Sequence, residues 1–417
     1  LPDFAHPKYL QIKDFTYNLP AERIAQKPLA ERDLSKLLIY KNGVISQDIF
    51  ANISKSIPEE SLLILNNTRV INARLLFETS AGTQVEIFCL EPADEKDFNR
   101  AFLNKTKAEW LCLIGNKRKW KNEKIIKSFL INGKECLLNA KIVNKQADSF
   151  VIEFNWAGNA TFGEVLNSAG VTPLPPYIKR AASEEDKQTY QTIYAEPKGS
   201  VASPTAGLHF TERVFDSLKN KKIDIEYLTL HVGAGTFKPV KSPTLETHDM
   251  HSEKFIISKQ LIKKLLSKPK EKIICVGTTS LRAIESLYYL GCKIFANSNY
   301  TEDNLHLNQW EPYDKRISDI GIQDALSAIL IFLEKNKKEY LNTSTGILIA
   351  PGFEFKFANG LITNFHLPGS TLLLLVAAFA GENWKKIYDY ALNNDFRFLS
   401  YGDSSLIYRL LNTRAAT

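Results

Sequence analysis

A larger α/β domain interrupted by a small inserted β-barrel is the fold this sequence predicts, on three observations. The chain has 417 residues, more than one small core needs and enough for two or three domains. Between about Leu76 and Phe154 it breaks into short alternating apolar runs separated by polar turns, the pattern of a barrel or sandwich of short strands. Beyond Pro173 apolar runs of strand length alternate with stretches of helical period, the pattern of an α/β domain. The predicted limits are 1–75 with 155–417 for a discontinuous α/β catalytic domain, and 76–154 for the barrel.

In chain order, residues 12–32 mix Pro, Glu and aromatics and read as a loop with a short helix, and Lys36–Tyr40 and Ser61–Leu65 read as strands. The barrel strands are expected at Gln84–Leu90, Ala108–Ile114, Ile125–Ile131, Glu135–Val143 and Ser149–Phe154. Asn132-Gly133 between the third and fourth is a hairpin signal, because both residues tolerate the positive φ of a tight turn. Thr211–Asn220 reads as a helix with Thr211 as its cap, Ile225–His231 as a strand, Gln260–Ser267 as an amphipathic helix, and Lys272–Val276 as a buried strand. Leu281–Leu290 and Asp324–Tyr340 read as helices, and Gly346–Ala350 and Leu361–Asn364 as short strands. Thr371–Gly381 is apolar on nearly every side and reads as a buried helix.

Composition narrows the class. A 44% apolar and 24% charged chain is that of a globular protein. The net charge of +7 suits a polyanion such as RNA and equally an ordinary basic enzyme. The five cysteines form no C-x-x-C pair, which removes zinc-ribbon and thioredoxin-like readings and fits a reducing cytosol. Leu1–Tyr9 lack the pattern of a secretory leader, and an opening at Leu1 rather than Met points to a natural start upstream. The longest apolar run, Leu372–Ala380, is too short to span a bilayer, so no membrane role is expected.

Chemistry-bearing residues gather at element ends. Of the seven histidines, His209, His231, His251 and His366 lie in polar or glycine-containing segments there. Thr205, Gly207 and His209 belong to a loop entering a helix N-terminus, where free N–H groups suit an anion; a plain capped turn is the alternative. His231 is followed by Gly233, Gly235 and Thr236, glycines that admit close backbone approach but lack the dinucleotide fingerprint. Gly277, Thr278, Thr279 and Ser280 join a strand to a helix carrying Arg282 and Glu285, the position at which open α/β sheets bind ligands; Ser280 acting only as a cap is the alternative. His248, His251 and Glu253 lack metal-ligand spacing, so no metal is expected and His251 is expected to hydrogen-bond instead. Lys117, Arg118, Lys119 and Lys121 surround Trp120, a mix that could hold phosphates and stack a base or form a solvated hairpin turn.

Read together, the segments resemble the S-adenosylmethionine:tRNA ribosyltransferase-isomerase family of queuosine biosynthesis. The matching stretches include LNNTRVINARL from Leu65, TPLPPYIKR from Thr172, SPTAGLHFTERV from Ser203 and TLHVGAGTFKPV from Thr229. HDMHSEKF from His248, VGTTSLRAIES from Val276, LITNFHLPGSTLLLL from Leu361 and YGDSSLI from Tyr401 complete the set, in family order. The resemblance implies an α/β domain interrupted by a β-barrel. It implies transfer of the ribosyl part of S-adenosylmethionine to the aminomethyl group of 7-aminomethyl-7-deazaguanine in tRNA, and isomerisation to give epoxyqueuosine-tRNA, adenine and methionine. S-adenosylmethionine is then a consumed substrate and no cofactor is expected; the partner is the precursor-bearing tRNA, the compartment the cytoplasm, and the expected state a monomer.

That chemistry requires a base, an acid and a neutral amine, roles suited to imidazoles with a pKa near the working pH. On this resemblance His209, His231, His251 and His366 are expected to line one cleft, with Asp403 as a further acid/base or orienting group. Arg282 is a candidate for a bidentate grip on the methionine carboxylate. Arg69, Lys179 and Arg180 are candidates for phosphate or carboxylate contacts, and Asn364 for substrate binding. The chain departs from the family pattern at Asn67, where Asp is expected, at Asn72, where Pro is expected, and over 304–343, which reads as an insertion. The alternative is a diverged paralogue that binds RNA or nucleoside without completing the reaction. An ordinary methyltransferase is disfavoured by the missing Gly-rich turn.

Overall fold

The computed structural model of the protein describes residues 6–93, 98–121, 124–146, 149–196, 198–233, 240, 242–297, 299–314 and 320–410. Its centre is a ten-stranded sheet. Four strands in the middle run parallel: Asp224–Leu230, Leu62–Asn66, Ile273–Val276 and Gly360–Asn364. Leu62–Asn66, Ile273–Val276 and Gly360–Asn364 are buried along their whole length, as continuous apolar or small runs covered on both faces must be. Ser404–Tyr408 lies antiparallel to Gly360–Asn364 and parallel to Lys36–Lys41, and Val44–Ile49 ends that side as a hairpin. On the other side Glu253–Ser258, Tyr340–Thr345 and the short His306–Leu307 extend the sheet.

The chain leaves Leu62–Asn66 for a neighbour on one side, Asp224–Leu230, and later returns on the opposite side at Ile273–Val276. Successive connections therefore diverge at the carboxyl ends of these strands, where an open α/β sheet leaves a crevice. Asn66 ties that edge together: its side chain accepts from the Leu230 and Thr68 amides and donates to the Leu230 carbonyl at 3.0–3.2 Å.

The second body is a closed six-stranded barrel of Arg74–Glu78, Gln84–Pro92, Lys107–Gly115, Ile125–Ile131, Lys134–Gln146 and Ser149–Trp156. It has its own core, with Trp110, Trp120, Phe154 and Phe162 almost wholly buried. Asn132 and Gly133 take φ of 50° and 76° between strands whose last pair is Ile131 and Lys134, the left-handed pair that a two-residue hairpin needs.

Several elements differ from the sequence-based expectation. The helix beginning at Thr278 runs to Ala296, longer at both ends than Leu281–Leu290, and its cap is Gly277 rather than Ser280. The helix Ile322–Lys335 stops short of Tyr340, because Lys337 turns left-handed at φ 53°. The strand that follows is Tyr340–Thr345, not 346–350. Thr211 does precede the helix Glu212–Asn220, but its hydroxyl donates to the Asp33 carboxylate at 2.5 Å instead of accepting from the helix. Among the described residues no helix is long and apolar enough to cross a membrane, and all five cysteines are free.

Candidate active site

The carboxyl ends of the four parallel strands deliver Asn66 to Thr68, His231, Gly277 and Asn364 to His366 to one edge of the sheet. Two adjoining cavities open there. The larger, about 650 Å³, lies between sheet and barrel: Glu91, Phe98 and Leu113 of the barrel face His231, His251 and Arg282. The smaller, about 50 Å³, is bordered by Thr205, Gly277 to Thr279, Asn364 and His366. Val232 and Leu372 border both.

The floor of the larger cavity is a buried ion pair. Arg282 Nη1 donates to Glu253 Oε2 at 2.6 Å, and Arg282 Nε donates to the Ile347 carbonyl at 3.2 Å. Arg282 Nη2 has no partner. Glu253 Oε1 accepts from the Gly233 amide at 3.2 Å and faces His251 Nε2 at 3.3 Å. Burial alone would raise the Glu253 pKa, but the Arg282 charge and the His251 and Gly233 hydrogen bonds outweigh it and hold the carboxyl at about 2. The carboxylate therefore stays ionised beside His251, positioned to orient that imidazole. His251 does hydrogen-bond, as its spacing led one to expect. Among the described residues no group of His, Cys, Asp and Glu could hold a metal ion.

His231 Nδ1 lies 3.2 Å from the Thr68 hydroxyl. Its ring rests against Phe98 of the barrel helix Phe98–Leu103, with centroids 4.9 Å apart. Lys254 places its ammonium 5.7 Å over the same phenyl ring. The barrel thus supplies part of the cavity wall.

In the smaller cavity His366 Nε2 is 2.8 Å from the Thr363 hydroxyl, and its backbone is held between the Tyr388 and Tyr17 hydroxyls. Burial pushes this imidazole well below its ordinary value, so it is neutral. His209 stands one layer deeper and does not border either large cavity wall. Its Nδ1 is 2.8 Å from the Ser35 hydroxyl and its Nε2 is 3.2 Å from the Asn364 amide, while Asn364 Oδ1 accepts from Thr205 at 3.0 Å. Burial lowers the His209 pKa to about 4. Neutral His209 can accept from Asn364 through Nε2 while Nδ1 donates to Ser35.

The other sequence-derived candidates fall in several places. Thr205, Gly277, Thr278, Thr279 and Asn364 border the smaller cavity, and Gly233 and Arg282 the larger. Gly235 and Thr236 lie outside the described residues. Gly207 is a packing glycine: a Cβ there would come 2.0 Å from the Tyr194 hydroxyl. Asp403 borders neither cavity and is bound within the fold, accepting from the Lys36 and Arg397 amides at 3.0 and 2.7 Å. Arg180 grips Asp186 with two bonds of 2.6 and 2.7 Å, which leaves it structural. Arg69 and Lys179 are exposed and border neither cavity. Arg282 has Nε and Nη1 engaged by the Ile347 carbonyl and Glu253, which leaves the unpartnered Nη2 as its free donor toward the cavity. Nor can Trp120 stack a base: it is 1% exposed, inside the barrel core.

Sequence reasoning passed over Glu253 as a site residue. The available signal was the short His251-x-Glu253 spacing, with Glu253 opening the strand Glu253–Ser258. Phe98 carried no such signal, since its role depends on how the barrel docks.

A family model described as queuosine biosynthesis protein matches residues 12–407 of this chain. The S-adenosylmethionine:tRNA ribosyltransferase-isomerase of Halothermothrix orenii is 38% identical over 406 residues, covering 95% of this chain and 100% of that protein. The protein of the same name from Caldanaerobacter subterraneus subsp. tengcongensis is 37% identical, with 94% and 98% covered. That from Buchnera aphidicola subsp. Schizaphis graminum is 36% identical, with 97% and 98% covered. The crystal structure of S-adenosylmethionine tRNA ribosyltransferase from Thermotoga maritima is similar at 26% identity and a TM-score of 0.44, with 94% and 99% covered.

Proposed function

This chain belongs to the queuosine biosynthesis protein family, and on that premise we propose that it is an S-adenosylmethionine:tRNA ribosyltransferase-isomerase. It moves the ribosyl part of S-adenosylmethionine to the aminomethyl group of 7-aminomethyl-7-deazaguanine in tRNA and isomerises it, releasing adenine and methionine. The observation that carries the reading is the family match across residues 12–407. The cleft between sheet and barrel supports it, because its size suits a nucleoside and a base together.

His251 is the residue we assign to take the acidic proton beside the sulfonium. It stands at the cavity with a carboxylate of fixed charge, Glu253, behind it, which favours the imidazolium formed on proton transfer. His231 is assigned to assist adenine departure, and His366, neutral in its pocket, to accept a hydrogen bond from substrate. S-adenosylmethionine is a consumed substrate in this reading, with no further cofactor, and the enzyme is a cytoplasmic monomer acting on tRNA.

Incubation with S-adenosylmethionine and precursor-bearing tRNA tests the reading, followed by mass spectrometry of the nucleosides and of the small molecules. Epoxyqueuosine in the tRNA, with adenine and methionine in equal amounts, is the expected result. S-adenosylhomocysteine as the main product would overturn it.

A further inference from the structure

We propose that the smaller cavity, at the N-terminus of the helix Thr278–Ala296, is a carboxylate subsite that receives the amino-acid end of S-adenosylmethionine. The inference rests on the reaction proposed above and adds the place of one part of its substrate. Four observations lead to it.

The helix is 19 residues long and begins at the cavity. Its first-turn N–H groups have no partners within the helix, and its dipole favours negative charge there. Gly277, the cap, takes φ 87°, a conformation a side chain would strain. It leaves the backbone bare where a ligand must approach.

Two hydroxyls on the cavity wall lack partners. Ser203 and Thr279 are 4% and 7% exposed, and neither Oγ of Ser203 nor Oγ1 of Thr279 has a hydrogen-bond partner. Unpartnered buried hydroxyls are costly to a fold and mark a place where a bound group supplies the missing acceptor. Both are donors when a carboxylate is present.

Size selects among ligand parts. At about 50 Å³ against about 650 Å³ the smaller cavity is the narrower of the two and suits the smaller part of the substrate. The nucleoside is left to the cavity of about 650 Å³, which adjoins the smaller one along Val232 and Leu372. Arg282 borders the larger cavity, not the smaller one, and although its Nη2 is free its charge is already paired with Glu253. A second carboxylate beside Glu253 would also be repelled.

The test compares S-adenosylmethionine with its decarboxylated analogue by titration calorimetry, on the wild type and on Ser203→Ala, Thr279→Val and the double variant. The wild type is expected to favour the carboxylated compound by about tenfold or more. The double variant should lose that preference while keeping its affinity for the analogue. Thermal melts without ligand supply the structural control: replacing unpartnered hydroxyls by apolar groups of similar shape should leave the melting temperature equal or higher. Equal losses for both compounds, or an undiminished preference in the double variant, would overturn the subsite. A wild type that releases adenine yet shows no preference for the carboxylate overturns the subsite alone. A wild type that binds neither compound and releases no adenine overturns the reaction and the subsite together.

Discussion

Glu253 and Arg282 form an ion pair at 2.6 Å beneath the larger cavity, with side chains 1% and 4% exposed. Deleting one partner strands the other charge in a buried setting. Glu253→Gln is therefore expected to lower stability by about 3–5 kcal/mol, measured by urea unfolding at pH 7. The pair also sets an acid limit. The folded carboxyl lies at about 2 against an ordinary 4.5, so its contribution is complete above about pH 4.5 and disappears as pH falls toward 2. The wild type should lose stability across that window and Glu253→Gln should lose less; parallel curves would refute the assignment.

His209 gives a second, separable pH dependence. Its folded pKa, about 4, lies below the ordinary 6.5, so the unfolded chain binds the extra proton first as pH drops. Stability therefore falls from pH 6.5 toward 4, with a slope of up to about 1.4 kcal/mol per pH unit for this group. His209→Asn should flatten that slope. A proton-detected imidazole titration near 6.5 for His209 would contradict the buried, neutral form.

The catalytic assignments divide the histidines. His251→Ala and His231→Ala should lower turnover by about 10²–10⁴-fold with a much smaller change in S-adenosylmethionine affinity, measured by adenine release under saturating substrate. His209→Ala should instead act first on melting temperature, because it touches Ser35 and Asn364 rather than the cavities. Equal effects of all three on binding would remove the division.

Lys117, Arg118, Lys119 and Lys121 remain candidates for backbone contact with tRNA, with Arg118, Lys119 and Lys121 exposed. Neutralising all four should weaken tRNA binding and reduce the slope of log affinity against log salt by up to about 3. An unchanged slope would place this turn away from the RNA. Trp120→Ala, by contrast, should unfold the barrel core by about 3–5 kcal/mol whatever the RNA.

The elements legible in the sequence were those whose physics is local. The period of apolar residues located Leu62–Asn66, Ile273–Val276 and Thr371–Ala380 to within a few residues, and Asn132-Gly133 announced its hairpin. Gly277 to Thr279 and His366 could be placed at strand ends and do meet there. What local pattern could not carry was the identity of partners. That Arg282 is engaged by Glu253, that Asp403 accepts from the Lys36 amide 367 residues away, and that Trp120 turns inward are set by tertiary packing. The end of the helix at Lys335 depends on a left-handed Lys337, a conformation that lysine's propensity does not announce.

The barrel is joined to the sheet by two chain crossings, one entering at Arg74 and one leaving after Trp156. Beyond these crossings Val165, Leu166 and Val201 pack into the barrel's own core, so it is held by its contacts as well as by its tethers. Phe98 sits on His231 and lines the larger cavity, so the same side chain contacts the imidazole and closes part of the cavity wall. One ring contact thus ties the docking of the barrel both to the wall of the larger cavity and to the packing of the His231 imidazole.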